Sequence, residues 1–180
     1  MRIISGKYKG RHFDVPRNFK ARPTTDFAKE NLFNILNNII DFEETAALDL
    51  FSGTGSISLE LLSRGCTSVT SVEMDPLHFS HLKKCAGTLD DANWRILRDD
   101  VFRFIKRCGG SYDLIFADPP YALKELREIP DLVLAGNMLK EKGILVFEHG
   151  KDYDFSEHPH FFRHIAYGSV NFSFFSKETE

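Results

Sequence analysis

At 180 residues the chain is long enough to bury a sizeable core in one domain, and a separate second domain is not expected. Hydrophobic residues at 42% and charged residues at 27% exclude a disordered chain, and three cysteines (Cys66, Cys85, Cys108) without CxxC spacing argue against a disulfide framework or a zinc site. The net charge of −3 is unevenly spread: residues 1–22 hold Arg2, Lys7, Lys9, Arg11, Arg17, Lys20 and Arg22 against Asp14, a balance of +6 that leaves −9 on residues 23–180.

A basic arm on an acidic body is the asymmetry expected when one segment meets a polyanion. Within the arm, Ile3 to Lys7 and Arg11 to Val15 read as two short strands turning at Lys9-Gly10, a basic hairpin extension ending at Pro16. A solvated edge hairpin protected by lysines would leave the same pattern. Arg22-Pro23-Thr24-Thr25-Asp26 follows, with threonine hydroxyls suited to capping a helix and Asp26 to its positive end. Ala28, Leu32, Ile35, Leu36 and Ile39 then recur at helical spacing, a core-facing stripe without chemistry.

From Thr45 short apolar strands alternate with helices. The strands are Ala46 to Phe51, Val69 to Glu73, Arg95 to Leu97, Leu114 to Ala117 and Ile144 to Phe147. Helices are expected over Ser56 to Arg64, Pro76 to Leu89, Val101 to Cys108 and Lys124 to Asn137. Such alternation predicts an α/β fold, a doubly wound and mostly parallel sheet covered on both faces, with residues 45–180 as the core of a single domain 1–180. Phe161 to Tyr167, a Gly168-Ser169 turn and the alternating Val170, Phe172 and Phe174 read as a closing antiparallel hairpin. The amino terminus lacks an apolar leader core and no run reaches the roughly 18 apolar residues of a membrane span, so a reducing cytoplasm is the expected setting.

Asp49-Leu50-Phe51-Ser52-Gly53-Thr54-Gly55 ends the first of these strands and opens a helix, where glycines let backbone pass close to a ligand. A glycine-serine loop alone is a weak indication. Its context is Glu73, which closes the next strand twenty positions after Gly53 and suits the two hydroxyls of a ribose, with Met74 beside it. Asp99 and Asp100 close the third strand. One is expected to cap the following helix and the other to meet an adenine amino group beside Val101, with Asp100 the favoured ligand. A dinucleotide fits less well, since Ser58 replaces the third glycine of GxGxxG and Asp49 would repel a phosphate. A cationic sulfonium suits such acids, which makes S-adenosylmethionine the expected ligand and S-adenosylhomocysteine its product.

Asp118-Pro119-Pro120-Tyr121 follows the fourth strand and is the most specific feature of the chain. An exocyclic base amine is a poor nucleophile because its lone pair is delocalised into the ring. Asp118 and the Pro119 carbonyl can each accept one N–H and hold that lone pair toward a methyl group. Pro119 and Pro120 stiffen the acceptor, and Tyr121 offers an aromatic face to a base turned out of its stack. Turn chemistry explains an Asp-Pro pair but not all four residues at a strand end. No histidine pair has metal-ligand spacing, and His149 is expected in a solvated loop.

Taken together, these residues resemble the bacterial 16S ribosomal RNA guanine-N2 methyltransferase family (RsmD-like). The resemblance runs through Arg2-Ile3-Ile4-Ser5-Gly6 with Lys9-Gly10-Arg11, Arg22 to Asp26 with Leu32-Phe33-Asn34, the Asp49 to Gly55 loop, Glu73-Met74-Asp75 and Asp118 to Tyr121. The last three belong to amino methyltransferases generally, and the first two are narrower. The resemblance implies a class I methyltransferase fold with a seven-stranded sheet and methyl transfer to guanine N2. It also implies a substrate that is an assembling small ribosomal subunit rather than free RNA. Lys7, Lys9, Arg11, Arg22, Thr24 and Thr25 are the expected substrate-side contacts, no metal is expected, and the protein is expected to act as a monomer. The family usually carries a third glycine where this chain has Ser58, so a difference in packing is expected there. DNA adenine-N6 or cytosine-N4 and protein-glutamine methyltransferases share the tetrapeptide. An NAD-dependent oxidoreductase and a catalytically silent RNA-binding module are the competing classes.

Overall fold

The apolar strand runs pair into a seven-stranded sheet of order β3-β2-β1-β4-β5-β7-β6 in the computed structural model, which describes residues 1–21 and 23–178. Strands β1 (Ala46–Leu50), β2 (Ser68–Glu73), β3 (Trp94–Arg98), β4 (Tyr112–Ala117) and β5 (Leu139–His149) run parallel. In the closing hairpin of β6 (Phe161–Tyr167) and β7 (Val170–Ser176), β7 lies antiparallel against β5 and β6 antiparallel against β7. Helices α1 (Asp26–Ile39), α2 (Ser56–Ser63), α3 (Pro76–Leu89), α4 (Val101–Arg107) and α5 (Ile129–Ala135) flank the sheet, the last shorter than the stretch expected from Lys124 to Asn137. One core layer joins Leu32, Phe33 and Leu36 of α1 to Leu59 and Leu62 of α2 and Phe172 and Phe174 of β7. The other joins Leu48, Ile115, Leu145 and Phe147 of the strands to Phe104, Ile129 and Val133. Both faces of the central strands are thus buried, which is why they read as continuous apolar runs.

β1 has β2 on one side and β4 on the other, so the chain leaves β1 in opposite directions along the sheet. Connections that diverge at strand carboxyl ends open a crevice there, and both candidate motifs end at this edge. A cleft of ≈ 370 Å³ opens at the other end of the strands, beside Ala46, Ser68, Arg95 and Tyr112, away from those motifs.

The amino-terminal arm departs from the expected pair of strands. Ile3 donates to Arg11 O at 3.0 Å and Gly10 to Ile3 O at 2.9 Å, but only the Arg2–His12 bridge is ladder-like. The reason lies on α2, where buried Glu60 accepts from the backbone N–H groups of Ile4 (2.9 Å) and Ser5 (3.0 Å). Lys7 N–H donates to Ser63 O at 2.8 Å, and Gly6 approaches so closely that a Cβ would stand 2.0 Å from that oxygen. The N–H groups of Ile4, Ser5, Lys7 and Tyr8 thus go to α2 instead of a partner strand, while those of Ile3, Gly10 and Phe13 stay within the arm. Lys29, on the otherwise apolar face of α1, is itself buried and completes the junction: its Nζ donates to Arg2 O (2.7 Å) and Ser56 Oγ (3.0 Å) and lies 3.7 Å from Glu60.

Candidate active site

The loop after β1 begins with Phe51 at φ 59°, a left-handed conformation unusual for a bulky residue. Gly53 (φ 54°) and Gly55 (φ 81°) continue it. Gly55 holds a left-handed φ that residues with a side chain rarely adopt, and a Cβ there would also press on the Leu82 side chain at 2.6 Å, so the turn into α2 favours glycine. Glu73, at the end of β2, fixes the same loop: Oε2 accepts from Gly53 N–H at 2.8 Å and Oε1 from Asp75 N–H at 2.9 Å. Asp75 takes the cap of α3, accepting from Leu77 and His78 N–H, which leaves Glu73 for the crevice. Met74 is 62% exposed beside it. Thr54 is buried, and its carbonyl meets His81 Nε2 at 3.1 Å.

Asp49 is buried at the end of β1, and burial pushes its carboxyl up to about 7 against the pull of its bonds to Ser58 and Ser52. Ser58 Oγ donates to it at 2.5 Å. Where the usual third glycine gives way to serine, the hydroxyl is therefore turned inward as a partner for this acid.

At the third strand end the two acids take different partners. Asp100, expected to face an adenine, is the cap of α4, with Oδ1 accepting from Arg103 N–H at 3.0 Å. Asp99 is the buried member, and it accepts from its neighbour's N–H, from Arg103 Nε at 2.9 Å and from Arg107. Burial alone would raise its carboxyl, but the two arginines outweigh it and hold the group below the usual carboxylate range. Val101, buried, opens α4 as expected.

Ala117 pairs with Leu50, so Asp118 emerges directly beside the loop that begins at Phe51. Pro119 is buried and Pro120 exposed. Tyr121 is 45% exposed and donates through its hydroxyl to Glu148 Oε1 at 3.3 Å. The strand-end tetrapeptide and the glycine loop thus share one edge of the sheet, and the ring of Tyr121 remains open to solvent.

Glu148, on β5, is a residue the sequence reading passed over. It lies within the run Ile144 to His149, every member buried, where a carboxylate directly after four apolar residues is the departure that pointed to it. Asp118 is raised well above its ordinary value by burial, then by the charges of Glu148 and Asp49. Burial pushes Glu148 up to about 7 despite the Tyr121 hydroxyl that donates to it, and it raises the Tyr121 hydroxyl too. His149, expected in solvent, is instead the buried last residue of β5, with Nε2 2.8 Å from Ser173 Oγ and burial lowering its imidazole.

Of the expected substrate-side residues, Lys7 pairs with Asp91 at 3.0 Å and packs over the Tyr8 ring. Lys9 and Arg11 are exposed, with no carboxylate partner among the described residues. Thr25 caps α1 by accepting from Ala28 N–H at 3.2 Å, Thr24 is half-buried next to it, and Arg22 lies outside the described residues. Among the described residues no group of three or more His, Cys, Asp or Glu is arranged to hold a metal, and no helix is long and apolar enough to cross a membrane.

Buried Asp49 and the Glu73 carboxylate bring two acidic acceptors to the glycine loop, a pair suited to a cationic ligand with a ribose. That edge and the sheet order define the class I methyltransferases, the S-adenosylmethionine-dependent group. A solved hypothetical protein of Thermus thermophilus shares the architecture with a TM-score of 0.86 at 27% identity, covering 98% of this chain and 99% of that one. The chain belongs to the family described as conserved hypothetical protein 95, whose profile matches residues 1–176. It is 34% identical to the ribosomal RNA small subunit methyltransferase D of Escherichia coli over 82% of this chain and 74% of that protein. The protein of the same name in Buchnera aphidicola (Baizongia pistaciae) is 33% identical over 82% and 75%.

Proposed function

We propose that the protein methylates the exocyclic N2 amine of a guanine in 16S ribosomal RNA, on the assembling small ribosomal subunit. The observation that carries this reading is the position of Asp118, beside the glycine loop and at the head of a rigid Pro119-Pro120 turn. Its relatives' name, ribosomal RNA small subunit methyltransferase D, supports the choice of RNA. When bound, S-adenosylmethionine supplies a methyl group on a sulfonium, whose bonding pair leaves with the sulfur. Glu73 would hold the ribose hydroxyls, Met74 would serve the adenine, and Asp49 would balance the cationic part of the ligand.

Asp118 and the Pro119 carbonyl accept the two N–H groups of the amine, so the nitrogen lone pair is directed at the methyl carbon rather than into the ring. Tyr121 stacks on the extruded base. Lys9 and Arg11, with Lys7, neutralise phosphates and hold the RNA in register. The test is methylation of small subunits from a strain lacking the gene, followed by mass mapping of the rRNA. One new N2-methylguanine is the expected product. Methyl incorporation only into adenine, or into protein, would displace the guanine reading.

A further inference from the structure

Glu148 has no role in the scheme above, yet it lies beside its central group. Ala117 pairs with Phe147, so in this parallel register Asp118 and Glu148 follow side by side on neighbouring strands. Glu148 is 6% exposed; Oε1 accepts the Tyr121 hydroxyl, while Oε2 is shut off from solvent and lacks a hydrogen-bond partner. A buried carboxylate oxygen without a donor is costly, and a second carboxylate beside it makes the charged form costlier still. One proton held between the two removes both penalties. Asp49 on β1 and the Tyr121 hydroxyl are the other titratable groups that act on the pair, and Phe172, opposite Glu148 on β7, adds no charge.

We propose that Glu148 is a positioning residue that shares one proton with Asp118, orienting that carboxylate toward the base amine and accommodating, through it, the proton the amine sheds. As N2 bonds to the methyl carbon and the carbon–sulfur pair stays on sulfur, the amine becomes cationic and passes one proton to Asp118. The pair then holds two protons and returns one to water as product leaves. The upward displacement of both carboxyls agrees with a retained proton near neutrality.

Glu148→Gln keeps the side chain's shape and gives Asp118 a permanent N–H donor. The wild-type rate is expected to fall on both sides of neutrality between about pH 5 and about pH 9, as the pair gains a second proton or loses its only one. E148Q is expected to lose the alkaline fall, to shift its acid limb downward, and to stay within about tenfold of wild type near pH 7. A second readout needs no turnover: carbon NMR of carboxyl-labelled, ligand-free wild-type protein should show two separated steps for the pair, the later one above about pH 6. Unmoved rate limbs in E148Q overturn the inference. So does an inactive E148Q that still binds S-adenosylhomocysteine. If E148Q does not fold, the wild-type titration decides, and two carboxyls both titrating near about pH 4 overturn it. The inference rests on Asp118 as the amine's acceptor. An active Asp118→Ala removes that reading, whereas an inactive Asp118→Ala with an unmoved E148Q profile removes the inference alone.

Discussion

Ser58 Oγ donates to the buried Asp49 carboxylate at 2.5 Å, and the direction of that bond orders a chain of groups behind it. Trp94 Nε1 can only donate, so Ser71 accepts from it at 2.8 Å and must give its own proton to Ser58 at 2.6 Å. A one-way relay from indole to carboxylate thus crosses from β3 to β1 under the ligand loop, each bond polarising the next. Ser58→Ala leaves both Asp49 and Ser71 short of a partner. It is expected to lower unfolding stability by about 1–3 kcal/mol in urea denaturation near neutral pH. Stability equal to wild type would show that water replaces the hydroxyl without loss.

Folding lifts the Asp49 carboxyl from its ordinary value to about 7, so the folded chain holds this proton more tightly than the unfolded one. The stabilisation is complete below the unfolded value and disappears as pH rises through about 7. Asp49→Asn is expected to remove part of the decline in ligand-free stability across that window, and Glu148 and Asp118, both also raised, contribute with the same sign. Superimposable pH–stability curves for the two proteins would contradict a buried, raised carboxyl.

As the proposed acceptor of the amine, Asp118 would act chiefly as the transition state forms. Asp118→Ala should therefore reduce methyl transfer by about 10²–10³-fold or more while calorimetric affinity for S-adenosylhomocysteine changes little. Near-normal turnover in that variant would remove Asp118 from the chemistry.

The arm is held by a buried charge pair, and breaking one side exposes the other. Glu60→Ala leaves Lys29 uncompensated and frees the N–H groups of Ile4 and Ser5, for an expected loss of about 3–5 kcal/mol in chemical denaturation. Gly6→Ala should loosen the same contact from the other side, because its Cβ would displace Ser63. Hydrogen exchange confined to residues 1–13 in G6A would report that release. Exchange as slow as in wild type would argue that the arm is anchored elsewhere.

Neutralising Lys9 and Arg11, both without acidic partners among the described residues, is expected to weaken RNA binding and lower the salt slope by about two. Lys7 should contribute less, since Asp91 already balances it. A salt slope identical to wild type would place the RNA on another face.

Periodicity and the placing of motifs at strand ends were legible along the chain. The parallel strands, the helix that begins at Pro76, the glycine turn, Glu73 and the Asp118 corner are local patterns, set by which residues fit a strand, a tight turn or a rigid acceptor. The partners of buried polar groups were not legible, because they are chosen by distant segments meeting. Ile4 and Ser5 find Glu60 across 56 and 55 positions, which turned an expected ladder into a docked arm. Asp100 became a helix cap while Asp99 went to two arginines one and two turns along α4. Glu148 acquired its importance only when β5 was laid beside β4, since a carboxyl's cost underground depends on what shares its cavity, and that neighbour is supplied by tertiary contact alone.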